Sequence, residues 1–187
     1  MNSTKLEMLV LTLVAGALYV FMHFFNEWVF RYTEFTEHVN WVYLPAFLRL
    51  ANVIVLGEFA GSVSTGLGVL VIELFFLDSP LIALLNIAAS VSSPLLAFQT
   101  FRLLTGRAVN VHYLKDLFQA ASIYAFLNSL THHIAWSIAD PKQFYKVDQV
   151  PIMFLGDLVG ACLGAVAFTF VVQRTGLVNY IKERSQV

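Results

Sequence analysis

The feature that most limits what this chain can become is a succession of long apolar runs almost empty of charge. They cover residues 8–25, 41–56, 61–77, 80–104, 117–138 and 152–172. A helix needs about 20 mostly apolar residues to cross a bilayer, and most of these runs approach or pass that length. In hydrocarbon every backbone amide must find its partner inside the protein, which leaves helices and closed barrels. Barrel strands read as short alternating segments, whereas these runs are continuous. Hydrophobic residues make up 58% of the chain and charged ones 12%, against about 25% charged in a soluble domain. So few charges cannot cover a water-facing surface. The expected fold is all-α: one polytopic integral membrane helix bundle over residues 1–187, with six transmembrane helices in a lipid bilayer.

The second run is the weakest. It is short and carries Pro45, Arg49 and Asn52, so runs two and three are read either as full spans or as a broken pair around 57–61. Pro45 removes a backbone donor and is expected to loosen its helix. Basic residues set orientation. With the N-terminus cytoplasmic, that side holds Lys5, Arg102, Arg107, Lys115, Arg174, Lys182 and Arg184, and the other holds Arg31, Lys142 and Lys146. Both termini are therefore expected inside. Trp28, Trp41, Tyr43, Trp136 and Tyr145 then form an aromatic belt at the outer interface. The acidic, aromatic loop 26–40 is expected to lie on the membrane surface as a short helix. Lys5 precedes the first run without a small-residue cleavage site, so that run is read as a signal anchor.

Several function classes drop out. The net charge of −1 gives no electrostatic footprint for nucleic acid. There is no nucleophile elbow, no HExxH and no CxxC, so an enzyme is not expected. The single Cys162 lies in an apolar run and reads as a small packing residue. The tail after Gly176 is too short for a catalytic output domain.

The polar residues inside the runs carry the functional signal, because a charge in a membrane needs a partner or a watery cavity. Arg49 shares one helix face with Pro45 and Asn52. It either grips an anionic group or forms a structural ion pair with Asp157 or Glu73. The fifth run has the densest polar face: Asn128, His132 and Trp136 recur every four residues beside Ser129, His133 and Ser137. Such a face must look into the bundle. Asn86, Ser90, Ser93 and Ala97 form a similar face on run four, where Pro94 marks a kink. Interhelical hydrogen bonding and contact with a small molecule both fit these residues. The candidate ligand-binding set is Arg49, Asn52, Asn86, Asn128, His132, Trp136 and Asp157. Adjacent histidines point about 100° apart, so His132 and His133 do not share one metal. No cofactor is expected, and haem held by His23, His132 or His133 is a minor alternative. Gly156, Gly160 and Gly164 form a ridge that lets another backbone approach closely. That backbone belongs to another segment, a partner protein or a second copy of the chain.

Two short motifs carry a resemblance. Residues 44–50, Leu-Pro-Ala-Phe-Leu-Arg-Leu, followed by Val55-Leu56-Gly57, and later Gly156-Asp157 opening the last run, resemble the first membrane-associated sensor domain family of bacterial histidine kinases and diguanylate cyclases. The resemblance spans residues 41–172. It implies a multi-pass protein of the bacterial cytoplasmic membrane, a small-molecule stimulus, and Arg49 and Asp157 as the corresponding positions. Members usually have more spans and a fused output domain. In size and six-span layout the chain is also similar to the substrate-binding S components of energy-coupling-factor transporters, without their alanine-spaced docking motif. The reading is a stand-alone sensory or small-ligand-binding membrane module. The alternatives are a transporter's substrate-binding subunit or an accessory subunit of a larger membrane complex.

Overall fold

The computed structural model describes residues 3–36, 39–76, 79–140 and 148–175. Six α-helices account for most of them: α1 (Ser3–Val29), α2 (Pro45–Leu56), α3 (Glu58–Phe76), α4 (Pro80–Thr105), α5 (Leu114–Ala139) and α6 (Gln149–Thr175). Between α1 and α2 lie a 3-10 turn, Arg31–Thr33, and a small antiparallel hairpin of β1 (Glu34–Thr36) and β2 (Val39–Asn40). These elements, after the end of α1, replace the surface helix expected across 26–40. Trp41 N–H donates to the Thr33 carbonyl at 2.9 Å, which folds this loop back on itself instead of laying it flat.

Helices α1, α3, α4 and α6 are long and apolar enough to cross a membrane. Helix α5 is equally long, but its polar face lowers its hydropathy. The outward sides of these helices are covered with large apolar residues such as Leu13, Leu18, Phe21, Leu74, Phe126, Ile134, Leu163 and Phe170. Contiguous exposure on this scale belongs in lipid, not water.

Helix boundaries follow local chemistry. Ser79 caps α4 by accepting from Ile82 N–H at 3.3 Å, with Pro80 at the first helical position. Gly106 ends α4 in the left-handed region, at φ 69°, which costs glycine little. Gly57, at φ 85°, reverses the chain between α2 and α3. There a side chain on Gly61 would strike the backbone of Asn52 and Val53. Tyr19 against Gly68 and Gly16 against Ser64 set α1 and α3 parallel.

The second run is where sequence and structure part. Helix α2 has 12 residues, about 18 Å at 1.5 Å per residue, well short of a bilayer. Pro45 is its first residue, so it opens the helix and does not loosen it. The chain before it, 39–44, is not helical and lies against α6. A Cβ on Gly156 would meet the Asn40 carbonyl, and one on Gly160 would meet the Tyr43 carbonyl. Gly164 faces the Phe47 side chain in the same way. The glycine ridge thus receives a segment of its own chain. Non-helical backbone survives inside a bundle only when protein satisfies its polar groups. Here Tyr43 N–H donates to the Gly156 carbonyl at 3.1 Å and Leu44 N–H to Asn26 Oδ1 at 2.9 Å.

The apolar core fills the end of the bundle away from the hairpin. Leu50, Ala97, Phe101, Leu117, Ala120, Ala121, Ala161 and Ala165 are fully buried there. Alanine at so many contacts lets α2, α4, α5 and α6 pack closely. The hairpin end is built differently.

Candidate functional site

At the hairpin end all six helices contribute side chains to one cavity of about 100 Å³. That is room for several waters or a compact small molecule. Tyr19, His23 and Glu27 come from α1, and Arg49 from α2. Glu73 and Phe76 come from α3, and Asn86 and Ser90 from α4. His132 and Trp136 come from α5, and Met153 and Asp157 from α6. Glu34 and Asn40 of the hairpin sit at the mouth. Asn40 Nδ2 donates to Glu27 Oε1 at 3.3 Å, which ties the hairpin to the end of α1.

Arg49 is the centre of the polar network and is 7% exposed. Its Nε and Nη2 converge on the Tyr19 hydroxyl at 2.8 and 2.6 Å. Nη2 also donates to the Tyr43 hydroxyl at 3.3 Å, and Nη1 to Asn128 Oδ1 at 3.3 Å. The guanidinium lies 5.3 Å from the Tyr19 ring centroid and 5.4 Å from that of Tyr43, a cation–π position for each ring. No carboxylate stands within ion-pairing distance of it among the described residues. The direct pair with Asp157 or Glu73 weighed from sequence is therefore replaced by a relay. Asn128 accepts from Arg49 with its oxygen and donates from Nδ2 to Asp157 Oδ2 at 2.6 Å. An amide can do this because it carries one acceptor and two donors on a single group.

Two further chains brace the walls. Trp136 Nε1 donates to Asn86 Oδ1 at 2.7 Å, and Asn86 Nδ2 donates to Glu73 Oε1 at 3.1 Å. His132 Nδ1 lies 3.0 Å from the Asn128 carbonyl, and Nε2 lies 3.2 Å from Ser90 Oγ. Both ring nitrogens of His132 are thus engaged by protein. His23 Nδ1 lies 3.1 Å from the Tyr43 hydroxyl, which extends the arginine network towards α1.

Of the seven ligand-binding candidates, the structure gathers Arg49, Asn86, His132, Trp136 and Asp157 around the cavity. Asn128 sits behind them as the bridge. Asn52 does not join. Its Nδ2 faces Ser64 Oγ at 3.2 Å and Thr65 Oγ1 at 3.4 Å, so it fastens α2 to α3. Tyr43 and Trp136 leave the expected aromatic belt, because their polar atoms point into these networks. Tyr145 lies outside the described residues. Trp28, 80% exposed, and Trp41, 45% exposed, stay at the surface of the hairpin end.

Sequence reasoning missed Tyr19, Glu27, Glu34 and Asn40, and it placed Tyr43 wrongly. Tyr19 sits in an apolar run where a phenol looks like any other large residue. The available signal was spacing: Tyr19, His23 and Asn26 or Glu27 recur at helical intervals, which puts them on one face of α1. Comparison with protein-family models, curated proteins and solved structures finds no match to this chain.

Proposed function

We propose that the chain is a sensory or ligand-binding module of a cell membrane, receiving a small molecule in the hairpin-end cavity. The observation that carries this reading is the cavity itself. Buried ionisable and amide groups from six helices converge on one space instead of being dispersed among packing contacts. Buried polar groups in a bilayer are costly, and a fold that needed only stability would meet them with closer packing. The fixed network places their polar atoms at set positions around the space, as a selective site requires.

In this reading all six helices cross the membrane, with α2 completed by the extended segment 39–44. Seven basic residues against three put both termini in the cytoplasm and the cavity mouth outside. The likeness to the bacterial sensor domain family supports the same view. Its two corresponding positions, Arg49 and Asp157, lie on helices far apart in sequence and meet through Asn128. Occupancy would be read by a partner at the cytoplasmic end or by a second copy.

Native mass spectrometry of the protein released from lipid nanodiscs tests this. Ser90 is 1% exposed and lines the cavity, so Ser90→Trp fills it. The wild type is expected to carry a small-molecule adduct that Ser90→Trp loses while keeping its helical circular dichroism. An adduct retained by the filled variant, or none on either protein, removes the reading.

A further inference from the structure

The charge around the cavity points to the class of ligand. Four carboxylates line it, from Glu27, Glu34, Glu73 and Asp157, against one guanidinium and the imidazoles of His23 and His132. That guanidinium is already engaged. Of its five N–H donors, four are taken by Tyr19, Tyr43 and Asn128, and its Nε–Nη2 edge is closed by the Tyr19 hydroxyl. An incoming anion would find no bidentate edge, and it would lie among like charges in a low-dielectric site.

Asp157 presents the opposite case. It is 2% exposed and lines the cavity. Oδ2 accepts from Asn128, whereas Oδ1 has no hydrogen-bond partner among the described residues. It is not one of the sealed-off polar atoms of the bundle, so a ligand N–H in the cavity that Asp157 lines can reach it. The carboxylates are too dispersed for a bare metal ion: no group of three His, Cys, Asp or Glu side chains has metal-holding geometry among the described residues. A single ammonium head needs only one such acceptor. Aromatic walls from Phe76 and Trp136 suit an apolar body beside a cation. At the mouth, Glu34 is exposed and Glu27 stands beside the hairpin, where negative charge draws cations inward.

Resting on the ligand-site reading above, we propose that the cavity binds an organic ammonium ion, its N–H donating to Asp157 Oδ1 and its apolar body lying against Phe76 and Trp136.

The test uses the full chain in nanodiscs and three probes of nearly equal size: benzylammonium, benzyl alcohol and benzoate. Benzylammonium is expected to raise the melting temperature and to bind measurably by calorimetry, with benzyl alcohol weaker and benzoate inert. Asp157→Asn is expected to weaken benzylammonium about tenfold or more. Should that variant fail to fold, Glu34→Gln at the exposed mouth serves instead. It is expected to slow association about twofold at low salt, an effect that vanishes at high salt. Binding of benzoate in preference to benzylammonium, or equal binding of benzyl alcohol, overturns the cation class and leaves a ligand site standing. A native adduct whose composition contains no amine has the same meaning. No binding by any probe together with no native adduct removes the cation class and the ligand-site reading alike.

Discussion

The two halves of α5 obey different rules. Towards its N-terminus, Leu117, Ala120, Ala121 and Tyr124 are fully buried, and apolar neighbours from α2, α4 and α6 pack against them. One turn beyond Tyr124, Asn128, His132 and Trp136 continue along the helix, and each holds a polar partner on another helix. The first half is held by shape and the second by directed bonds. Packing tolerates exchange between side chains of similar volume. A hydrogen-bond relay does not, because removing one member strands the others. The bundle therefore joins a close-packed base to a polar chamber, and one helix carries both.

The largest effect on this contrast is expected where the chamber is fixed to the base. Gly160→Ala drives a methyl group into the Tyr43 carbonyl, which is backbone and cannot rotate away. Either the extended segment lifts off α6 or α6 shifts. Lifting it moves the Tyr43 hydroxyl off Arg49 and carries the start of α2 with it. Destabilisation of about 3 kcal/mol is expected, measured by denaturant titration in micelles, along with loss of any cavity ligand. A Gly160→Ala variant with unchanged stability would show that the extended segment is not held on this ridge.

A smaller effect separates the two halves directly. Asn128→Leu keeps volume but breaks the bridge between Arg49 and Asp157. It leaves a guanidinium donor and a carboxylate oxygen without partners in a buried site. About 2 kcal/mol is expected. Leu117→Met, eleven residues earlier on the same helix, is equally conservative in volume and is expected to cost less than about 1.5 kcal/mol. Equal losses in the two variants would abolish the distinction between base and chamber.

The sequence made the base legible and the chamber only partly so. Long apolar runs fix where helices lie, because length and lack of charge are local properties. The polar face of run five was visible for the same reason: period 3.6 is written into consecutive residues. What stayed hidden depends on contacts far along the chain. The extended lead into α2 is set by glycines more than a hundred residues away, so Tyr43 read as an interfacial aromatic. The Arg49 partners were sought among carboxylates, since charge seeks charge. The fold instead supplies phenols and an amide, which solvate a guanidinium without placing a second full charge beside it. The hairpin at 31–40 has neither period, and its composition of acids and aromatics suits a surface helix as well as a turn.

The smallest effect concerns the far end of the base, where the chain re-enters the bundle after α4. Asp116, at the start of α5, is 2% exposed. It accepts from both terminal nitrogens of Arg107, with Nη2 to Oδ1 at 2.8 Å, and from Asn110 N–H at 3.1 Å. The Arg107 hydrogen bonds hold its carboxyl below the usual carboxylate range, against the opposing pull of burial. A carboxyl with a lowered pKa in the folded state adds stability above its unfolded pKa, near 3.9. That contribution fades as pH falls through the folded value. The Arg107 side chain is half exposed, so solvent screens much of the attraction. Asp116→Asn is accordingly expected to lower the melting temperature by only about 2 °C at pH 7, and the gap to wild type is expected to close below about pH 4. A gap that persisted undiminished at pH 3 would mean that the anchor acts through the shape of the 107–113 loop and not through its charge.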